Sequence, residues 1–267
     1  MKVGLGVVLT VLLAGCGGSG EQTVKAPITQ LPIPSTSLTS LPLPDNTNIP
    51  DYKILFIGNS HTSGNNLPFI VEDLIKNNLD STVKVVRASS SSFLSEHITI
   101  QSTLDTFYGE KWTHVILQAQ KFSSSQSTLY PTDAAKRWVE LAKSTHEATP
   151  IFFAEHPQRG NGSESAYIHN IYSEIATQHP ACVAPIGFAW DRYAMAYPTS
   201  DLWANDGNHA NPYGAHLTAL VLYSAITGEK SEDIQVFSDR IDMDLQSVFA
   251  QFADQTIAEY QACEFTN

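Results

Sequence analysis

From residue 53 to residue 186 the chain alternates short apolar runs with longer stretches whose apolar positions recur at helical spacing. The short runs fall at 53–58, 82–87, 114–118, 150–154 and 182–186 and predict strands. The stretches between them, 67–77, 93–103, 133–145 and 163–178, predict helices. Strands that alternate with helices build βαβ units, so the pattern predicts an α/β fold, a parallel sheet with helices on both faces. An irregular aromatic stretch, 188–203, follows the fifth strand. Asn211 before Pro212 then marks a helix start, since asparagine suits the cap and proline the first helical position. Leu217, Leu220, Val221 and Ala225 give that helix its apolar face. A last helix is expected over 242–263.

The first 50 residues follow a different pattern. Lys2 precedes an apolar run, 3–13, too short to span a bilayer, and Leu13-Ala14-Gly15-Cys16 closes it. A positive start and a small-residue finish fit a cleaved export signal, and the last four residues resemble the lipobox of bacterial lipoproteins. That resemblance implies a lipidated Cys16 as the mature N-terminus, a lipid anchor in the cell envelope and, with glycine rather than aspartate at 17, the outer membrane. Residues 17–50 are rich in Ser, Thr and Pro, cannot bury a core, and read as a tether. Extended, it reaches up to roughly 100 Å. Residues 51–267 then form one domain of ordinary size.

Charge narrows the partners. The net charge is -12 with no basic stripe, which argues against nucleic acid. After residue 230, eight acidic side chains face Arg240 alone, the pattern of a solvated helix face. Once Cys16 is set aside, Cys182 and Cys263 remain; an oxidising compartment permits their pairing, but two cysteines do not decide it.

Gly58-Asn59-Ser60 follows the first strand directly. In an open parallel sheet ligands bind beyond the carboxyl ends of the strands, so Ser60 stands where chemistry is expected. A serine hydroxyl needs a base, normally histidine, oriented by a third group. Asp206 and His209, three apart just before the capped helix, offer both from one short loop. No His-Glu-x-x-His, Cys-x-x-Cys or phosphate-cradling glycine loop occurs, so neither a metal nor an organic cofactor is expected. An α/β-hydrolase elbow is excluded by Thr62, which stands where the second glycine belongs. His61 fits either a hydrogen bond within the site or a packed loop, while His97 and His156 read as structural or rim residues. Trp190, Tyr193, Tyr197 and Trp203 suit either a sugar-binding cleft or core.

A strand ending Gly-x-Ser early in an α/β domain, with Asp-x-x-His before its closing helices, resembles the SGNH (GDSL-like) hydrolases. The resemblance spans residues 51 to about 228 and implies a flavodoxin-like three-layer α/β/α sandwich on a five-stranded parallel sheet. It implies Ser60 as nucleophile, His209 as base and Asp206 as orienting acid in an ester hydrolase without cofactor. Asn59 stands where the family has aspartate. The family's oxyanion donors are the serine N–H, a glycine N–H after the second strand and an asparagine side chain after the third. Here "VVRASSSSFLSEH", 85–97, has no glycine, so Ser90 or Ser91 takes that place, Ser91 being preferred. In "VILQAQKFS", 115–123, Gln120 aligns with the asparagine and Gln118 competes. Surface members of the family often deacylate glycans, which makes an acetylated carbohydrate the expected substrate. A lipid or thioester substrate, and a non-catalytic glycan-binding surface protein, are the alternatives.

Overall fold

The structure, a computed structural model, describes residues 40–88, 90–236 and 241–265. The expected export signal, Cys16 and most of the tether lie outside them.

Five strands form one sheet: β1 (Asp51–Ile57), β2 (Thr82–Arg87), β3 (His114–Leu117), β4 (Thr149–Phe153) and β5 (Cys182–Ala184). All pairs are parallel and the order is β2-β1-β3-β4-β5, the flavodoxin-like arrangement. The central strands are apolar almost throughout because helices cover both of their faces. Ile54 and Phe56 of β1 join Ile116, Ile151 and Phe153 in one core; Leu55 and Ile57 join Val115, Leu117 and Phe152 in the other. The helices are α1 (Leu67–Asn78), α2 (Gln101–Gly109), α3 (Asp133–Leu141), α4 (Glu164–Gln178), α5 (Ile186–Ala196), α6 (Pro212–Thr227) and α7 (Met243–Glu259). Residues of α1, α5, α6 and α7 fill the first core, and residues of α2, α3 and α4 the second. The result is the expected α/β/α sandwich.

Two elements differ from expectation. The helix expected over 93–103 breaks into a turn, Leu94–His97, and α2. Ile98, Thr99 and Ile100 lie at the break, and a run of β-branched residues resists helix through restricted χ1. The aromatic stretch after β5 is largely helix α5, whose Ile186, Ala189, Trp190 and Tyr193 are buried at helical spacing. The periodicity was present but carried by bulky rings.

Helix α6 is buried on all sides from Gly214 to Thr227, polar His216, Thr218 and Ser224 included. Its N-terminus is pressed onto the preceding loop. A Cβ on Gly214 would lie 2.3 Å from the Leu202 carbonyl oxygen and 2.4 Å from the Trp190 ring. Asn211 caps the helix by accepting from Tyr213 N and Gly214 N. The loop that carries Asp206 and His209 is thereby seated on a rigid element.

Cys182 of β5 and Cys263 beyond α7 form a disulfide across 81 residues of sequence. A cross-link of that span removes on the order of 4 kcal/mol of chain entropy from the unfolded state. The end of the Ser/Thr/Pro stretch lies along the body: Leu43 is buried, and Asn46 donates to Thr149 Oγ1 and to the Glu147 carbonyl. Lys143 Nζ donates to the Leu41 carbonyl beside it.

Candidate active site

Strand β1 delivers its last buried residue, Ile57, to Gly58, and the chain turns at once into a short helical turn, Ser60–Ser63. Glycine is required at 58 by close approach. A Cβ there would lie 2.2 Å from Thr62 Oγ1 and 2.5 Å from Gln118 Oε1. Asn59 caps the turn, its side chain accepting from His61 N at 3.0 Å. Its own N–H donates to Gln118 Oε1 at 2.8 Å, and Thr62 Oγ1 donates to the same oxygen at 2.9 Å. From the other side, buried His97 holds the Gly58 carbonyl at 3.0 Å through Nε2. A carbonyl only accepts, so Nε2 carries the hydrogen and Nδ1 accepts from Thr103 Oγ1 at 2.9 Å. His97 is thus structural, as expected.

The second half of the site is the loop 201–210. Trp203 and Ala210 bridge antiparallel, and Gly207 makes the tight reversal at φ +69°. Asp206 Oδ1 accepts from Asn208 N at 2.9 Å and His209 N at 3.0 Å, so the three-residue spacing is closed by the carboxylate itself. Its Oδ2 meets His209 Nδ1 at 2.6 Å. His209 Nε2 in turn lies 2.8 Å from Ser60 Oγ. The directions follow from chemistry: a carboxylate only accepts, so Nδ1 bears the hydrogen and Nε2 offers a lone pair to the serine O–H. The His209 hydrogen bond, then the N–H groups of His209 and Asn208, hold the Asp206 carboxyl far below the usual carboxylate range. The structure therefore brings Ser60, Asp206 and His209 together, at the carboxyl end of the sheet and open to solvent, with the His209 and Asp206 side chains 36% and 51% exposed.

Arg159 braces this loop from outside. Its N–H donates to the Gly207 carbonyl at 2.8 Å, and its guanidinium bonds Asp201 at 2.7 Å and the Ala204 carbonyl at 3.0 Å. Asn65 ties the segment after Ser60 to the Ala210 carbonyl at 2.8 Å. His61 lies in the site, its ring stacked on His209 with centroids 5.0 Å apart and its Nε2 3.4 Å from Asn208 Nδ2. Next comes His156, itself stacked on Trp190 at 3.8 Å. Burial, reinforced by neighbouring imidazoles, lowers His61 to about 4 and His156 to about 3, so both rings are neutral beside the base. Neither ring contact nor the Arg159 brace has a local sequence signal, because each joins residues far apart in the chain.

The expected oxyanion residues fare differently. Ser91 lies exposed in the loop after β2, next to Ser90 and Ser92, whose hydroxyls bond each other at 3.1 Å. Gln120 is not brought to Ser60 by its side chain, a correction to the alignment. Its amide donates to the Lys121 carbonyl at 3.0 Å and the Pro131 carbonyl at 3.2 Å, which uses both hydrogens on its own loop. Gln118 is no substitute, since its oxygen faces the serine turn and its amide points inward. Ala119 between them adopts φ +74°, so the alternation of side-chain direction along β3 ends there.

Of the four aromatics, Trp190 and Tyr193 are core. Trp203 lines a cleft of about 450 Å³ beside the Asp206 loop, together with Gln158, Asn161, Asp191 and Met195. Among the described residues no group of three or more His, Cys, Asp or Glu side chains could hold a metal ion.

No protein-family model matches the chain, and neither does any curated protein. Among solved structures it is similar to a DUF4886 family protein from Bacteroides uniformis, at TM-score 0.60 and 16% identity over 81% of this chain and 97% of that one. It is also similar to a gut microbial diltiazem-metabolizing enzyme, at TM-score 0.50 and 11% identity over 67% of this chain; the match spans 48% of that enzyme. A G-D-S-L family protein from Desulfitobacterium hafniense, described as lipolytic, superposes at TM-score 0.38 with 16% identity, over 76% of this chain and 98% of that one. At these identities the likeness to the first two is one of fold.

Proposed function

We propose that this chain is a serine acyl hydrolase that removes small acyl groups, acetyl first among them, from a carbohydrate ester. The observation that carries the reading is the unbroken chain from Ser60 Oγ through His209 to Asp206, at 2.8 and 2.6 Å. His209 Nε2 takes the serine proton as Oγ attacks the ester carbonyl, and Asp206 offsets the charge of the imidazolium. The proton passes to the departing alcohol, leaving an acyl group on Ser60. Water, deprotonated by the same nitrogen, then releases the acid and restores the serine. The N–H groups of Ser60 and of the loop at Ser91 are the proposed oxyanion donors, without Gln120.

A polar alcohol is favoured by the neighbouring cleft, where Gln158, Asn161 and Asp191 offer hydrogen bonds beside the Trp203 ring. One structure of similar fold belongs to a diltiazem-metabolizing enzyme, which supports an enzymatic reading without bearing on the alcohol. The test is hydrolysis of aryl esters from acetyl to octanoyl, with a fluorophosphonate probe run in parallel. Acetyl should turn over fastest and Ser60 alone should be labelled. Preference for octanoyl would replace the carbohydrate reading with a lipase-type one. Neither hydrolysis nor labelling would leave a binding protein.

We place the protein in the cell envelope, anchored through a lipid on Cys16, on the strength of the lipobox pattern. Cys16→Ser should move it from the membrane fraction to the soluble one; retention in the membrane would sink the anchor.

A further inference from the structure

We propose that Glu155 and Gln118 form a buried clamp that positions Ser60, making both of them positioning residues for the acyl transfer; this rests on the hydrolase reading above. Glu155 follows β4 and Gln118 follows β3, and they are 4% and 0% exposed. Gln118 Nε2 donates to Glu155 Oε1 at 3.3 Å. Tyr172 of α4 donates its O–H to Glu155 Oε2 at 3.2 Å and accepts from Gln120 N at 3.0 Å. With the bonds from Asn59 N and Thr62 Oγ1 to Gln118 Oε1, a continuous chain runs from the serine turn across the ends of β1, β3 and β4 to α4.

Its polarity leaves no freedom. The two ends are backbone N–H groups, of Asn59 and Gln120, which only donate. Gln118 must therefore turn its oxygen to the serine turn and its amide to Glu155. Tyr172 must accept from Gln120 and spend its single hydrogen on Glu155. Position 155 thus receives a donor at each oxygen, a demand that a carboxylate meets and an amide does not. Burial pushes the Glu155 pKa up to about 7 against the pull of its own backbone N–H and then of the Gln118 and Tyr172 bonds. A carboxyl kept inside at that cost, one side chain removed from the serine turn, is a mark of function. Ala119, held at φ +74° between two locked glutamines, adds backbone strain at the same place.

The polarity also supplies the test. Glu155→Gln sets an amide hydrogen against one of two donors, and Gln118→Glu sets two carboxyls face to face. The double variant Gln118→Glu/Glu155→Gln reverses the central bond and leaves Asn59 N, Thr62 Oγ1, Gln120 N and the Tyr172 O–H each with an acceptor. In the full chain, each single variant should lower kcat and the rate of fluorophosphonate labelling of Ser60 by about 10- to 100-fold, the scale of a displaced catalytic group. KM should stay within about threefold, since substrate contacts are untouched. The double variant should recover both rates to within about threefold of the parent, as a restored coupled pair does. Hydrogen exchange at the Asn59 amide reads the clamp without turnover, and should be slow in the parent and the double variant and faster in the singles.

Single variants that label at the parental rate, with only their thermal stability lowered, would overturn the positioning role and leave the hydrolase reading intact. A double variant no faster than the singles would overturn it too. If Ser60 in the parent is never labelled, the hydrolase reading fails and the positioning role falls with it, even where Asn59 exchange follows the swap.

Discussion

Ser60→Ala or His209→Ala is expected to lower kcat by about 10⁴- to 10⁶-fold, and the double substitution little further, because members of a triad act as one unit. The geometry explains why neither can stand in for the other. Ser60 Oγ has its proton directed at His209 Nε2 over 2.8 Å, so removing the hydroxyl removes the atom aligned with that lone pair. Removing the imidazole leaves a serine with no base and an Asp206 with nothing to orient. His61 is not a replacement: it stacks on His209 face to face, at 5.0 Å and 29° between planes, so its nitrogens do not take over the line to Ser60. The fold should survive. Ser60 and His209 are both partly exposed, and the turn is held by Asn59, Gln118 and His97 rather than by the serine side chain. The check is turnover of an aryl acetate, with far-UV circular dichroism and the melting temperature as controls. Retained turnover in Ser60→Ala would end the acyl-enzyme mechanism.

Legibility in the sequence tracked the range of the interactions. The five strands announced themselves because each is a short apolar run, and β1 ends at a glycine that two side chains require to be a glycine. The Asp206–His209 spacing says little alone and gained meaning only beside the Gly-x-Ser strand end; in the structure its carboxylate closes a loop over the next three residues by accepting two of their N–H groups. Helix α5 was obscured by its own rings, though Ile186, Ala189, Trp190 and Tyr193 keep the period. The glutamines misled for a different reason. Alternation would send the side chains of residues 118 and 120 to the same face, and it holds only while the backbone stays extended. Ala119 leaves the extended region, so one glutamine faces the serine turn and the other its own loop. Nothing local announces a non-glycine residue at positive φ. Glu155 was equally silent, since a buried carboxyl is recognised by partners that the fold brings from elsewhere.

Asp206→Asn separates geometry from chemistry at the site, and it should lower kcat by about 10⁴-fold with KM nearly unchanged. An asparagine can keep the loop. Its carbonyl oxygen can accept from Asn208 N and His209 N as Oδ1 does now, at 2.9 and 3.0 Å, so the turn through Gly207 has no reason to open. What changes is the group facing His209 Nδ1. An amide nitrogen donates, and Nδ1 must then give up its hydrogen to accept. The hydrogen moves to Nε2, which lies 2.8 Å from Ser60 Oγ and needs a free lone pair to take the serine proton. The base is left in place but in the wrong tautomer. Raising the pH should restore part of the activity, because hydroxide can take over the serine proton that His209 no longer accepts. Asp206→Ala differs in a measurable way: it frees the tautomer but leaves two N–H groups of the loop without their acceptor, so its melting temperature should fall while that of Asp206→Asn holds. If Asp206→Asn turned over at the parental rate, Asp206 would be a loop-closing residue alone, and the orienting acid would have to be sought elsewhere.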